Sequence, residues 1–226
     1  MSGEATNEER PEGFRRVTEA LAQRGHPHAP QFLAVAARTS QEAADALGVA
    51  VGQIAKSVIF RRKSDEAAVL VVTSGDRRVD EKKVTALVGA IGRADAAFVK
   101  AKTGFTIGGV SPLAHATPPV TLIDRDLFRF SEIWAAAGHP NGVFRLSPAE
   151  LEGLAAAPVA DVVQAVTSPC ADVCRMNPAS GLCDGCLRTI DEIAGWSQAD
   201  DATRRAVLQR VAERRAALGV PAGPAA

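Results

Sequence analysis

Lys56 stands in the run Ile54-Ala55-Lys56-Ser57-Val58-Ile59-Phe60, a short apolar segment with one charge. Alternation along a strand puts Ile54, Lys56, Val58 and Phe60 on one face and Ala55, Ser57 and Ile59 on the other. A lysine among large apolar groups is either an edge-protecting side chain that snorkels to water or a cation in a partly apolar cleft. In the cleft, low dielectric would strengthen its attraction for phosphate or a developing oxyanion. The second candidate is the segment Thr103-Gly104-Phe105-Thr106-Ile107-Gly108-Gly109-Val110-Ser111-Pro112. Paired glycines permit backbone shapes closed to other residues and let a ligand approach the chain, so the N–H groups of Gly108 and Gly109 could bind a carbonyl oxygen. As a bare pattern the pair is equally a turn, and the phosphate-loop spacings GxGxxG and GxxxxGKS/T are absent.

The third group is Cys170, Cys174, Cys183 and Cys186, separated by three, eight and two residues. The N-terminal stretch MSGEATNEERPEG is polar and has no apolar h-region, so the expected setting is cytoplasmic, where thiols stay reduced. The cysteines are therefore read as metal ligands rather than disulfides. In Cys183-Asp184-Gly185-Cys186, a positive φ at Gly185 would turn backbone N–H groups toward thiolate sulfur. Four thiolates suit either zinc, the commoner structural ion, or an iron–sulfur cluster. A region this small has too little core to stand alone, and a metal would supply the missing stability.

The charge balance limits the partners. With 26 basic and 26 acidic residues the net charge is zero, which argues against binding nucleic acid over the whole surface. Between Lys56 and Lys102, however, eleven Lys/Arg face six Asp/Glu. That local excess fits a solvated surface, or a protein gripping only the end of an RNA. No apolar run approaches the ~20 residues that cross a bilayer, so no membrane partner is expected.

The elements that must position these residues follow from pattern. Residues 1–12 are expected to be disordered. Phe14, Val17, Ala20 and Leu21 recur at helical spacing, with a stop at Gly25. Thr39-Ser40-Gln41-Glu42 and Ser147-Pro148-Ala149-Glu150 are capping boxes, the first opening a short helix that closes at Gly48. Strands are expected at Ile54–Phe60, Ala67–Thr73, Phe105–Ile107, Val120–Ile123, Ile133–Ala136 and Val143–Leu146, and helices near Glu81–Val88 and Ala96–Lys102, capped by Asp80 and Asp95. Several strands are sequence neighbours, so a mixed α+β sheet fits better than a doubly wound one. Residues 155–167 read as a linker between a domain over 13–154 and a four-cysteine module over 168–218. In that module a capping box at Thr189-Ile190-Asp191-Glu192 opens one helix, and Ser197-Gln198-Ala199-Asp200 begins another.

The ordered series EAADALGV (Glu42 to Val49), QIAKSVIF (Gln53 to Phe60), TGFTIGGVSPL (Thr103 to Leu113), LID (Leu122 to Asp124) and AAGHPNGVFRL (Ala136 to Leu146) resembles the YbaK/ProRS-associated aminoacyl-tRNA editing domain. The resemblance spans about Phe14 to Leu154. It implies a mixed sheet curled into a half-barrel with surrounding helices, and a trans-acting deacylase that hydrolyses the ester of mischarged tRNA without a cofactor. The alternative is a catalytically silent module that binds an RNA end or a nucleotide. Lys56 matches the family's functional lysine, near the terminal phosphate and ribose. Gly108 and Gly109 match the loop that holds the substrate carbonyl, with Pro112 shaping it, and Gly138 matches a second loop lining the pocket. Ser57, Thr103, Gly104 and His139 complete the expected substrate-binding set. The family often has Gly where Ala114 stands, and Lys or Arg near His139-Pro140; both departures bear on amino-acid specificity. No Ser-His-Asp set is evident, and in the family the substrate's own 2′-hydroxyl helps to activate water. The implied partners are tRNA and an aminoacyl-tRNA synthetase. SPCADVCRMNPASGLCDGCLRTIDEIAGW, Ser168 to Trp196, resembles a family of unknown function, DUF1289, described as an iron–sulfur protein.

Overall fold

The computed structural model describes residues 9–220 and divides the chain into two compact units, one ending at Gln164 and one beginning at Ala165. The first unit is a mixed α+β sheet with helices on its faces. In chain order its elements are α1 (Glu12–Gln23), β1 (Gln31–Phe32), α2 (Ser40–Leu47), β2 (Ile54–Arg62), β3 (Ala68–Ser74), α3 (Glu81–Val88), β4 (Ile91–Arg93), α4 (Ala96–Thr103), β5 (Val120–Asp124), β6 (Ile133–Ala136), β7 (Gly142–Leu146), α5 (Pro148–Ala155) and β8 (Val159–Ala160). The open sheet runs β1-β7-β6-β2-β3-β5-β8, with β4 also on β2.

Alternating side chains assign the two faces. Leu70 and Val72 of β3 enter one core with Ala55, Ile123, Ile133 and Phe144, covered by Phe14, Val17 and Leu21 of α1 and Leu151 of α5. Val69 and Val71 enter the other with Phe60, Leu122, Val84 of α3 and Ile91. All seven residues of β3 are buried. That fits a strand covered on both faces, whose sequence reads as a continuous apolar run.

The edge of β2 opposite β3 is shared. Near its start Ile54 and Ala55 pair in parallel with Trp134 and Ala135 of β6. Near its end Phe60, Arg61 and Arg62 pair antiparallel with Arg93, Gly92 and Ile91 of β4. Between these partners no described strand is registered against residues 56–59 on this edge. The sheet forks beside Lys56 and Ser57.

The helix caps follow the sequence. Thr39 and Glu42 form a reciprocal box at α2, as do Ser147 and Glu150 at α5, and Asp80 and Asp95 cap α3 and α4. Three expectations need correction. Phe105–Ile107 is not a strand: it lies between Gly104 at φ 73° and Gly108 at φ 89°, and those left-handed residues bend the chain while Phe105 drops into the core. Residues 155–167 are not a plain linker, because β8 pairs with β5, Val163 bridges Val79, and Val162 and Val163 are buried. Of the expected disordered segment, residues 1–8 lie outside the described residues, Arg10 covers the Phe32 ring at 4.4 Å, and Glu12 begins α1.

Among the described residues the second unit has two helices, α6 (Ile190–Ala194) and α7 (Asp201–Ala217). Thr189 and Glu192 box the first, whereas α7 starts at Asp200, its cap, and not at Ser197. Its apolar cluster is small: Leu187, Val207 and Val211, with Trp196 against them. Polar bonds add to it. Glu192 pairs with Arg210 at 2.8 Å and Arg214 at 2.7 Å, and Arg214 also donates to the Leu187 carbonyl. Among the described residues no helix is long and apolar enough to cross a membrane.

Candidate active site

The fork in β2 opens into a cleft of about 340 Å³. Three loops frame it. The segment before α2 brings Ala37, Arg38 and Thr39, the glycine loop brings Ile107, Gly108 and Val110, and the turn between β6 and β7 brings Pro140 and Gly142. Backbone bonds tie the first to the third: Leu33 N–H donates to the Asn141 carbonyl at 2.7 Å and Ala37 N–H to the Pro140 carbonyl at 3.1 Å. Glycine packing ties the second to the third, since a Cβ on Gly109 would stand 2.7 Å from the His139 backbone. Ala43, Ile54, Trp134 and Val143 give the cleft an apolar wall.

Lys56 and Ser57 both line this cleft although alternation sends them to opposite faces. The reason is the open edge, from which either face of the strand can be reached. Lys56 Nζ donates to the carbonyls of Gly75, at 3.2 Å, and Arg77. Burial pushes the Lys56 ammonium below its ordinary pKa; Asp76 opposes this, Arg78 adds to it, and Asp124 opposes it. The Ser57 hydroxyl oxygen is buried and has no hydrogen-bond partner among the described residues. A buried hydroxyl left unpaired costs about 1–3 kcal/mol, so it marks a place where a further group belongs.

Behind Lys56 lies a charged cluster. Its neighbour across the sheet, Thr73, donates its hydroxyl to Asp124 Oδ2 at 2.7 Å. Burial holds the Asp124 carboxyl above the ordinary carboxylate range, against the N–H of Asp126 and the Thr73 hydroxyl. Arg129 binds both carboxylate oxygens of Asp76 at 2.7 Å, and Arg77 meets Asp126 at 2.8 Å.

Of the nine residues expected at the site, Lys56, Ser57 and Gly108 share the cleft lining and Gly109 packs directly behind it. The other five do not line it. Thr103 is fully buried, its hydroxyl donating to the Val99 carbonyl and accepting from Phe105 N–H. Gly104 ends α4 in the left-handed conformation under the Arg16 guanidinium. Gly138 exists for close packing, since a Cβ there would lie 2.2 Å from the Gly13 carbonyl oxygen. The His139 ring stacks on Phe32 at 5.2 Å, and its Nδ1 accepts from Asn141 N–H. Pro112 faces a separate hollow with Leu113, Ala114 and His115. Conversely, sequence reading passes over Arg38, Trp134, Asp76 and Arg129. The one available signal for Asp76 was its place in the turn ending the strand beside Lys56.

The four cysteines of the second unit divide into pairs. Cys183 and Cys186 are buried and Cys170 and Cys174 exposed. The N–H groups of Cys186, Gly185 and Arg175 point at the Cys183 sulfur and hold its thiol below the ordinary cysteine value, while Arg188 Nε lies 3.4 Å from Cys186 Sγ. This donor pattern suits metal thiolates. Gly185 has no positive φ, contrary to expectation; it is glycine because a Cβ would lie 2.9 Å from Val173 Cβ. Among the described residues no three His, Cys, Asp or Glu side chains already converge as an ion site.

Known proteins resemble both parts of the chain. Residues 34–154, over half the chain, match the family described as aminoacyl-tRNA editing domain, and residues 168–215 match a protein family of unknown function, DUF1289. YwhH, an uncharacterised protein of Bacillus subtilis (strain 168), is 37% identical over 114 residues, covering 50% of this chain and 72% of YwhH. A solved structure described as a candidate trans-editing enzyme for prolyl tRNA synthetase is 41% identical with a TM-score of 0.64, covering 69% of this chain and 99% of that one. The hypothetical protein APE2540 is 31% identical with a TM-score of 0.62, covering 66% and 99%. The chain thus belongs to the aminoacyl-tRNA editing domain family and carries a DUF1289 segment after that domain.

Proposed function

We propose that the cleft is the active site of a trans-acting aminoacyl-tRNA deacylase. The observation that carries this reading is the meeting of Lys56, Ser57 and Gly108 in the lining of one small cleft. An aminoacyl ester is already activated, so the protein needs to orient water and stabilise a tetrahedral oxyanion. Water adds to the carbonyl carbon, the oxyanion collapses, and the C–O bond to the terminal ribose breaks. The free amino acid leaves and the ribose oxygen takes a proton. Lys56 supplies positive charge toward the oxyanion or the terminal phosphate. The Ser57 hydroxyl, buried and without a hydrogen-bond partner among the described residues, has no internal bond to give up in turning toward the ester or the water. None of the histidines lines the cleft, which fits the substrate's own 2′-hydroxyl assisting the water.

The wall of Ala43, Ile54, Trp134 and Val143 suits a small uncharged side chain. The likeness to a candidate trans-editing enzyme for prolyl tRNA synthetase supports tRNA as the partner and a synthetase of that kind as the source of the mischarged substrate. A panel of mischarged tRNAs, assayed at substrate excess, tests the reading. Repeated turnover on esters of small amino acids is expected. Stoichiometric binding without turnover would instead favour a silent module holding the RNA end.

The second unit is proposed as a metal module in which Cys170 and Cys174 close on the Cys183–Cys186 pair around zinc or an iron–sulfur cluster. When bound, the metal supplies cross-links that the small apolar cluster lacks.

A further inference from the structure

The turn after β3 is braced far more heavily than a surface turn requires. Gly75 has no room for a side chain, since a Cβ would lie 2.3 Å from the Val51 carbonyl oxygen. The Ser74 hydroxyl lies within hydrogen-bonding reach of the Gly52 carbonyl and, at 2.8 Å, of Asp76. Arg129 grips Asp76 through both carboxylate oxygens and reaches Ser74 Oγ at 3.0 Å. The two carbonyls that receive the Lys56 ammonium belong to Gly75 and Arg77, the residues on either side of Asp76.

We propose that Asp76, clamped by Arg129, is a positioning residue of the cleft: it fixes the turn on which the Lys56 ammonium rests and supplies the charge that keeps that ammonium ionised. The proposal deepens the deacylase reading and rests on it. The charged groups that bear on Lys56 are Asp76 and Asp124, which favour the ammonium, and Arg78, which disfavours it. Beyond them Arg129 and Arg77 are neutralised by Asp76 and Asp126. Burial works against the charge, so a cation here needs a carboxylate beside it. Asp124 is the weaker source, because burial also pushes its own carboxyl toward the neutral form.

The two partners of the clamp differ in sign. Asp76→Asn removes a negative charge and leaves Arg129 uncompensated, so Lys56 should lose its proton at lower pH. Arg129→Gln keeps the carboxylate and removes a cation, so Lys56 should hold its proton at least as well, on a turn that is no longer pinned. A merely structural clamp would make the variants alike.

The test uses the full-length protein and two measurements. Competitive acetylation read by mass spectrometry gives the pH midpoint of Lys56 without any substrate. The pH–rate profile on mischarged tRNA gives the alkaline limb of turnover. Asp76→Asn should move both downward by roughly one pH unit. Arg129→Gln should leave the midpoint level or higher while lowering turnover roughly 10- to 100-fold at every pH, with partial recovery in Arg129→Lys. An unmoved Lys56 midpoint in folded Asp76→Asn overturns the proposal. If Asp76→Asn does not fold, normal turnover by Arg129→Gln overturns it instead. A wild-type protein that cleaves no mischarged tRNA removes the deacylase reading, and the acetylation midpoints still decide whether Asp76 governs Lys56.

Discussion

Gly109 lies flat against the backbone of His139: a Cβ at position 109 would stand 2.7 Å from the His139 Cα and carbonyl carbon and 2.8 Å from its nitrogen. The contact sets the separation of two of the three loops that frame the cleft. Gly109→Val must push them apart, because backbone cannot yield as a flexible side chain can. We expect turnover on mischarged tRNA to fall at least roughly tenfold, the scale of a small misplacement of substrate, with a lower unfolding midpoint. Gly108 makes the contrast. Its Cβ would meet only Pro140 Cγ at 3.7 Å, so Gly108→Ala adds backbone strain of about 1–2 kcal/mol at φ 89° without forcing the loops apart. Normal kinetics from folded Gly109→Val would show that the cleft does not depend on this contact.

Lys56 and Ser57 should separate activity from stability in opposite ways. Lys56→Ala removes the cation and should cost roughly 100-fold or more in turnover, the loss seen for one electrostatic stabiliser. It also frees the Gly75 and Arg77 carbonyls, so a modest drop in stability should accompany it. Ser57→Ala removes a hydroxyl that has no partner among the described residues, so stability should hold or rise slightly. Its turnover should nonetheless fall if the hydroxyl meets substrate or water. Parallel thermal unfolding and kinetics check both, and a stable, fully active Ser57→Ala removes that residue from the chemistry.

These contrasts mark where sequence pattern ended. The caps were legible because a capping box is local: Thr39 and Glu42, and Ser147 and Glu150, carry their partners within three residues. The strand expected at Ala67–Thr73 and found at Ala68–Ser74 was legible because burial on both faces makes its run from Ala68 to Val72 apolar. The short strands β1, β4 and β8 were not, since two or three residues carry no period and are ordered by tertiary pairing alone. At the site, Lys56 stood out as a charge in an apolar run, and Gly108 and Gly109 as a pair. Gly138 and Gly104 looked like loop residues of the same kind, yet their lack of a side chain serves packing against Gly13 and Arg16. Asp76 and Arg129 lie 53 residues apart, and no local pattern links them.

The division between the units predicts where the chain tolerates a cut. A chain ending at Gln164 keeps the bond from Gln164 N–H to the Arg78 carbonyl, the bridge of Val163 with Val79, and buried Val162 and Val163. It should remain folded and still cleave a minimal aminoacyl ester. A chain ending at Leu154 strips β8 from β5 and takes Val162 and Val163 out of the second core, losing about 1.5–3 kcal/mol for each buried valine it removes. Circular dichroism melts of the two truncations check this. A Gln164 truncation that folds but cleaves no ester would make both units necessary for one site.

Acid should loosen the second unit through Glu192. Burial would raise its carboxyl, but hydrogen bonds from Arg214 and Arg210 and from Thr189 N–H overcome this and hold it at about 2 against an ordinary 4.5. A depressed carboxylate stabilises the fold fully above its unfolded pKa and loses that contribution as pH falls toward the folded value. The helical signal of α6 and α7 should therefore weaken between about pH 4.5 and 2. Glu192→Gln should be less stable than wild type at neutral pH and should flatten this part of the profile. An unchanged profile in the variant would assign the acid sensitivity elsewhere.

Cys183 already collects three backbone N–H groups, and its neighbour Cys186 lies beside Arg188 Nε, so these two sulfurs are prepared for thiolate charge. Cys170 and Cys174 are exposed and sit beside each other, the Cys174 thiol being raised chiefly by Cys170. Two like charges that repel in the free protein are stabilised once a cation lies between them, so metal binding should release protons and draw the exposed pair inward. Protein purified under reducing, anaerobic conditions should contain zinc or iron and sulfide, and the paired substitution Cys183→Ser and Cys186→Ser should remove it. Protease digestion should then cut after Thr167 more readily in the variant than in the wild type, while the first unit, with its own apolar cores, stays intact. Wild-type protein that holds no metal under these conditions, and whose cleavage after Thr167 matches the cysteine variant, would remove a metal from the supports of the second unit.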